Sequence, residues 1–135
     1  MNYNNYFSKY HKSIFNLLNK VDITSFNKSV KIIKDVKKRR SKIYLIGNGG
    51  SASIASHVSV DFTKIAKIPA VTFNNSNIIT CFANDYGYEN WVKESIKFYC
   101  KKNDLIILIS SSGSSKNIIN AGKYCKKNNL PIITF

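Results

Sequence analysis

The chain has 135 residues, 44% of them hydrophobic, which suits one domain with a real core and is too short for two. Its longest apolar runs, Leu105 to Ile109 and Ile43 to Ile46, are five and four residues, far below the roughly 18 that a membrane-spanning helix needs, and the polar start at Met1-Asn2-Tyr3 has no export-signal pattern. A cytoplasmic protein without a membrane partner is expected. The net charge of +14 comes from 21 Lys and Arg against 7 Asp and Glu, but only Arg39 and Arg40 are arginines, so the composition argues against a nucleic-acid partner.

In chain order, Tyr6, Tyr10, Ile14 and Leu17 recur at helical spacing, and after Asp22-Ile23-Thr24 a second stretch carries Phe26, Val30, Ile33 and Val36. Both stretches are amphipathic. A helical pair has no sheet of its own to cover, so residues 1–41 are expected to form a hairpin that belongs to the following domain and makes an oligomer interface. The cluster Lys34, Lys37, Lys38, Arg39, Arg40 and Lys42 falls where the second helix ends, a favourable place for cations beside the negative end of the helix dipole.

From Lys42 onward, short apolar runs alternate with helical segments. Strands are expected at Ile43 to Ile46, Ala70 to Phe73, Leu105 to Ile109 and Ile132 to Phe135. Helices are expected at Ser53 to Lys64, Tyr88 to Tyr99 and Asn117 to Lys127. Continuous apolar strands separated by helices indicate an α/β fold, a parallel sheet flanked by helices on both faces. The loops after the strands then share one edge, where such sheets bind ligands. Residues 42–135 read as a domain that is incomplete at its C-terminal end, because no helix follows the last strand. Cys81, Cys100 and Cys125 stand too far apart for a metal-type pair and read as free, mostly buried thiols.

Four groups of residues carry chemistry. The first strand runs into Gly47-Asn48-Gly49-Gly50-Ser51 just before a helix, where glycines permit a sharp turn and the helix offers free N–H groups to an anion or a polyol. In that helix, His57 and Asp61 lie four residues apart on one face, a pair that can ligate a metal, move protons or simply hydrogen-bond at the surface. Asn84-Asp85-Tyr86-Gly87 follows the apolar stretch Ile78 to Ala83 and reads as a turn or helix cap, or as a carboxylate offered to a sugar hydroxyl. Ser110-Ser111-Ser112-Gly113-Ser114-Ser115 sets five hydroxyls before a helix, a dense donor set for phosphate oxygens without any cation.

Together these residues closely resemble the sugar isomerase (SIS) domain and, within it, the phosphoheptose isomerases. The resemblance runs from Lys42 to the end and includes the N-terminal helical pair. It implies a flavodoxin-like three-layer sandwich and a phosphorylated sugar as ligand. By position, it implies that Asn48, Gly49, Gly50 and Ser51, with Asn84 and Asp85, contact the sugar. Ser110, Ser111, Ser112 and Ser115 would hold the phosphate. It further implies zinc, with His57 and Asp61 as metal ligands and Asp61 as substrate contact and catalytic base, and a homotetramer whose sites use neighbouring subunits.

Two departures stand out. Asp61 occupies a position that is Glu in the well-known enzymes, one methylene longer. Family members also continue beyond the length of this chain, and the further segment carries a Gln and a His that complete the metal site. The implied activity is aldose–ketose isomerisation of sedoheptulose 7-phosphate to D-glycero-D-manno-heptose 7-phosphate, by this chain or by a longer protein of which it is a fragment. The alternative is a non-catalytic SIS module that senses a phosphosugar or acts as an assembly adaptor.

Overall fold

The structure, a computed structural model, describes residues 3–135. They fall into two compact units, residues 3–31 and Ile32–Phe135. In the first unit lie α1 (Tyr3–Leu18) and the start of α2 (Ile23–Lys38). Asp22 caps α2: its carboxylate accepts from the Thr24 N–H at 2.9 Å and the Ser25 N–H at 3.2 Å, satisfying groups that the helix leaves open, and from the Ser25 hydroxyl at 2.6 Å. The Ser25 hydroxyl, with the Thr24 N–H next, holds that carboxyl below the usual range. No described residue of this unit is buried, and Tyr6, Phe7, Tyr10, Phe15, Leu17 and Leu18 are all exposed.

The second unit carries β1 (Ile43–Gly47), α3 (Gly50–Lys64), β2 (Ala70–Thr72), α4 (Ser76–Tyr86), α5 (Trp91–Tyr99), β3 (Leu105–Ile109), α6 (Lys116–Lys127) and β4 (Ile132–Thr134). The four strands form one parallel sheet in the order β2-β1-β3-β4, with Ile43 opposite Leu105 and Gly47 opposite Ile109. Strand alternation sends side chains to two separate cores. Tyr44, Ile46, Ile106 and Leu108 pack with Trp91, Val92 and Ile96 of α5 and Ile118, Ala121 and Cys125 of α6. Ile43, Leu45, Leu105 and Ile107 pack on the other face with Val36 of α2 and Ala55 of α3. Each large aliphatic side chain so buried contributes about 1.5–3 kcal/mol relative to exposure. This is the expected α/β sandwich, and the strands read as continuous apolar runs because both of their faces are covered.

Polar groups tie the elements at defined points. Asp104, 4% exposed, accepts from the backbone N–H groups of Lys42 and Lys101, each at 2.8 Å, and so fastens the entrances of β1 and β3 together. The Tyr44 hydroxyl donates to the Tyr99 carbonyl at 2.9 Å, and burial pushes its pKa up to about 12, which keeps it a donor. Burial opposes the charge of Glu94, yet hydrogen bonds from Lys97 and Lys93 hold its carboxyl below the usual range.

Two expectations change. Of the three thiols only Cys125 is buried; Cys100 is half-buried and Cys81 is exposed, because α4 turns that side away from the core. Burial pushes the Cys100 thiol well up and that of Cys125 up to about 11, so both are poor nucleophiles at neutral pH. The apolar stretch Ile78 to Ala83, not expected as a helix, is part of α4, and Asn84 and Asp85 lie in its last turn, at the helix end where a cap reading places them. The helix runs on to Tyr86 and stops at Gly87, whose φ of 80° suits a residue without a Cβ. No helix among the described residues is long and apolar enough to cross a membrane.

Candidate functional site

The strand order sets the location. From β1 the chain crosses to β2 on one side and later to β3 on the other, so the carboxyl ends of β1 and β3 flank the point where the winding reverses. The glycine-rich segment leaves one of these ends and the serine-rich segment leaves the other.

At the end of β1, Gly49 has φ 52° and ψ −121°, a conformation that favours glycine, and α3 begins at the next residue. A Cβ at Gly49 or Gly50 would meet nothing within 4 Å, so this backbone is open to a ligand. The Ser51 N–H donates to the Asn48 carbonyl at 3.0 Å and closes the turn. Beside it is a cavity of about 330 Å³, lined by Gly47, Asn48, Gly49, Ala52, Ser53, Ser56, Asn74, Ile79 and Tyr88. Asn74, just beyond β2, donates to the Ala52 carbonyl at 2.8 Å and to the Ser56 hydroxyl at 2.7 Å, which fixes one wall.

After β3, the Ser110 N–H donates to the Phe135 carbonyl at 2.9 Å, and the Gly113 N–H donates to the Ser110 carbonyl at 3.0 Å, with Gly113 at φ 63°. Ser115 is the N-cap of α6, yet its side chain makes no capping bond. Its hydroxyl instead lies 3.4 Å from that of Ser110. The Ser112 hydroxyl accepts from the Ser114 N–H at 3.2 Å and the Ser114 hydroxyl at 3.0 Å. Ser111 and Ser112 are exposed. The combination of hydroxyls, a turning glycine and the positive end of α6 is suited to an anion.

Gly50, Ser51 and the serines from Ser110 to Ser115 do not line the cavity beside Gly49, and the remaining candidates lie apart from it as well. His57 and Asp61 share a face of α3 with Nε2 and Oδ2 3.5 Å apart, and their side chains are 81% and 48% exposed. Neither lines the cavity; Asp61 borders a separate apolar depression with Val58, Phe62, Ile65 and Ala66. Asn84 and Asp85 are exposed on α4, with the Asn84 amide donating to the Asp85 carboxylate at 3.0 Å, and they too lie outside the cavity. Thus Asn48 and Gly49 join a common pocket, whereas the proton-transfer and metal candidates form a separate exposed pair.

No group of three or more His, Cys, Asp or Glu side chains able to hold a metal occurs among the described residues. Catalytic zinc usually takes three protein ligands, so His57 and Asp61 alone do not fit it. Ser56, Asn74, Tyr88 and Asn117 were not among the residues expected to form the site. Isolated Asn and Ser residues in a chain rich in both offer no local signal of a shared pocket.

Residues 5–135 match the family model described as the SIS domain. The phosphoheptose isomerase of Thermodesulfovibrio yellowstonii is 35% identical over 123 residues, covering 82% of this chain and 61% of that protein. Phosphoheptose isomerase 2 of Campylobacter jejuni is 38% identical over 112 residues, covering 77% and 54%. The chain therefore spans a little over half the length of these relatives. In fold it is similar to a phosphoheptose isomerase structure from Neisseria gonorrhoeae, with a TM-score of 0.86 and 23% identity over 99% of this chain and 74% of the other.

Proposed function

This chain belongs to the SIS domain family, and from that premise we propose that it is the phosphosugar-binding part of a phosphoheptose isomerase acting on sedoheptulose 7-phosphate. The observation that carries the reading is the placement of the glycine-rich and serine-rich segments on either side of the sheet's reversal point. A ligand seated there meets open backbone at Gly49 and Gly50 and hydroxyls at Ser110, Ser111, Ser112 and Ser115. The likeness in sequence to relatives named phosphoheptose isomerase favours a heptose phosphate over other anions.

In the reaction, the serine-rich segment binds the phosphate, and that remote binding energy positions the carbonyl end of the sugar. Asn48, Gly49, Gly50 and Ser51 orient the hydroxyls, with Asn84 and Asp85 as further sugar contacts. The Asp61 carboxylate is the base that takes the proton from the carbon beside the carbonyl, giving an enediol, and a second group returns a proton to the neighbouring carbon. We assign no step to zinc, since the two donors present on α3 do not make up its ligand set. A non-catalytic SIS module would bind the same ligands but show no turnover even when extended to the length of its relatives.

Calorimetry with a heptose 7-phosphate and with the unphosphorylated heptose tests the reading. The phosphorylated sugar should bind at least about tenfold more tightly, because hydrogen bonds to a charged group contribute roughly 1.5–3 kcal/mol each. Joint Ser112→Ala and Ser115→Ala replacement should erase that preference. Equal affinity for the two sugars would sink the proposal.

The oligomer belongs to the same reading. The exposed apolar side chains of α1 call for a partner surface, and His57 and Asp61 are too open to solvent to work uncovered. We take these helices to mediate a homotetramer in the cytosol. Light scattering at micromolar concentration should give four times the monomer mass, and the joint substitutions Phe7→Glu and Leu18→Glu should lower it. A wild-type monomer would refute the assignment.

A further inference from the structure

Resting on the reading above, we propose that Asn117 is a positioning residue that locks the glycine-rich and serine-rich segments into one binding site. Asn117 lies in the first turn of α6, two residues after Ser115, and is 2% exposed. Its side-chain amide faces that of Asn48, 69 residues away in sequence, and the two exchange hydrogen bonds in both directions. The Asn48 Nδ2 donates to Asn117 Oδ1 at 2.9 Å, and the Asn117 Nδ2 donates to Asn48 Oδ1 at 2.9 Å. The Ile118 N–H also donates to Asn117 Oδ1 at 3.0 Å, which fixes which side of the Asn117 amide is the oxygen and therefore how Asn48 must face it.

The consequences for the ligand follow from counting groups. The Tyr88 hydroxyl also donates to Asn48 Oδ1 at 3.5 Å, so that oxygen has two donors, Tyr88 and Asn117. One Asn48 N–H remains for a sugar hydroxyl. The pair ties the residue that follows β1 to the first turn of α6, into which the serine-rich segment runs, so the phosphate and the sugar contacts keep a fixed separation. Such preorganisation lowers the ordering cost of binding. Asn117 itself touches no ligand in this arrangement; it acts through Asn48.

A carboxyl group tests this, because a protonated carboxylic acid can reproduce the two-bond ring and a carboxylate cannot. In Asn117→Asp the ionised form sets an oxygen against Asn48 Oδ1, whereas the protonated form donates to it. Burial and the facing oxygen raise the pKa of the introduced group. The measurement is the ratio of variant to wild-type Kd for a heptose 7-phosphate at each pH, so that titration of the ligand's own phosphate cancels.

The ratio should be about tenfold at pH 8 and fall below about twofold at pH 5. A ratio near one at pH 8, or one that stays high at pH 5, overturns the proposal. If Asn117→Asp is unfolded at pH 8 by circular dichroism, Asn48→Asp places the carboxyl on the other half of the ring. Because it also loses the N–H left for the sugar, it is judged by its thermal midpoint, which must approach that of the wild type between pH 8 and pH 5; a midpoint gap that stays constant overturns the proposal. A wild type that binds no phosphosugar would remove the functional reading. The clasp is then judged from thermal midpoints of variant and wild type, which must converge between pH 8 and pH 5.

Discussion

A protein consisting of these 135 residues should show no isomerisation of sedoheptulose 7-phosphate above the rate with zinc alone, even while it binds the sugar phosphate. Aldose–ketose isomerisation needs a proton removed from one carbon and another delivered to its neighbour. A well-placed group contributes about 10²–10⁴-fold to each transfer. Among the described residues Asp61 is the candidate for one transfer, and its side chain is 48% exposed and lies outside the cavity at the sheet edge. His57, 3.5 Å from it, supplies only one further metal donor. The assay pairs this chain with a form extended to the length of its relatives. Turnover by the extended form alone, abolished by Asp61→Asn, is the expected result. Robust turnover by the 135-residue chain would overturn the argument, and silence from both would favour the non-catalytic module.

Gly47→Ala should damage both folding and binding, whereas Gly50→Ala, three residues on, should leave folding intact. At Gly47 a Cβ would lie 2.7 Å from the Ser51 carbonyl carbon and 2.8 Å from its oxygen. Neither side can yield easily. Gly47 is held in β1 opposite Ile109, while Ser51 is in the first turn of α3, held by its bond to Asn48. Overpacking of this kind costs about 1–3 kcal/mol, and each kcal/mol lowers the midpoint of a chain this size by roughly 3–4 °C. Because α3 must shift, phosphosugar affinity should drop at least about tenfold. Gly50 has nothing within 4 Å of its Cβ position and is the first residue of α3, where alanine is accommodated without a clash. Thermal melts of the two variants check the contrast; equal midpoints would show that the close approach at Gly47 is not what shapes the turn.

The parallel α/β architecture was legible because it rests on local pattern. Ile43 to Ile46 and Leu105 to Ile109 are apolar at every position, which only a strand covered on both faces requires, and each is followed by a polar segment rich in Gly or Ser. The same locality set the errors. The helix after β1 starts at Gly50 and not at Ser53, because Gly49 takes up the turn at φ 52° and lets the helix begin among glycines that propensity places in a loop. The run from Ile78 to Ala83, read only as an apolar stretch, belongs to the helix α4, which ends at Gly87 with its positive φ, so the expected turn or cap at Asn84 to Gly87 stands while the helix before it was not expected.

By itself the sequence determined the strands, the two glycine- and serine-rich segments and the resemblance to SIS domains, all of which depend on neighbours within a few residues. The tertiary structure alone decided which polar groups meet. That Asn117 pairs with Asn48, Asn74 with Ser56, and Asp104 with the Lys42 backbone depends on β1 lying between β2 and β3. It also separated His57 and Asp61 from the cavity, because Ser53 and Ser56 present the neighbouring face of α3 to it. The physical reason is that an amide or carboxylate carries no label for its partner. Its bond is chosen by strand order and burial, where an unpaired polar group costs about 1–3 kcal/mol, and strand order is a property of the whole sheet.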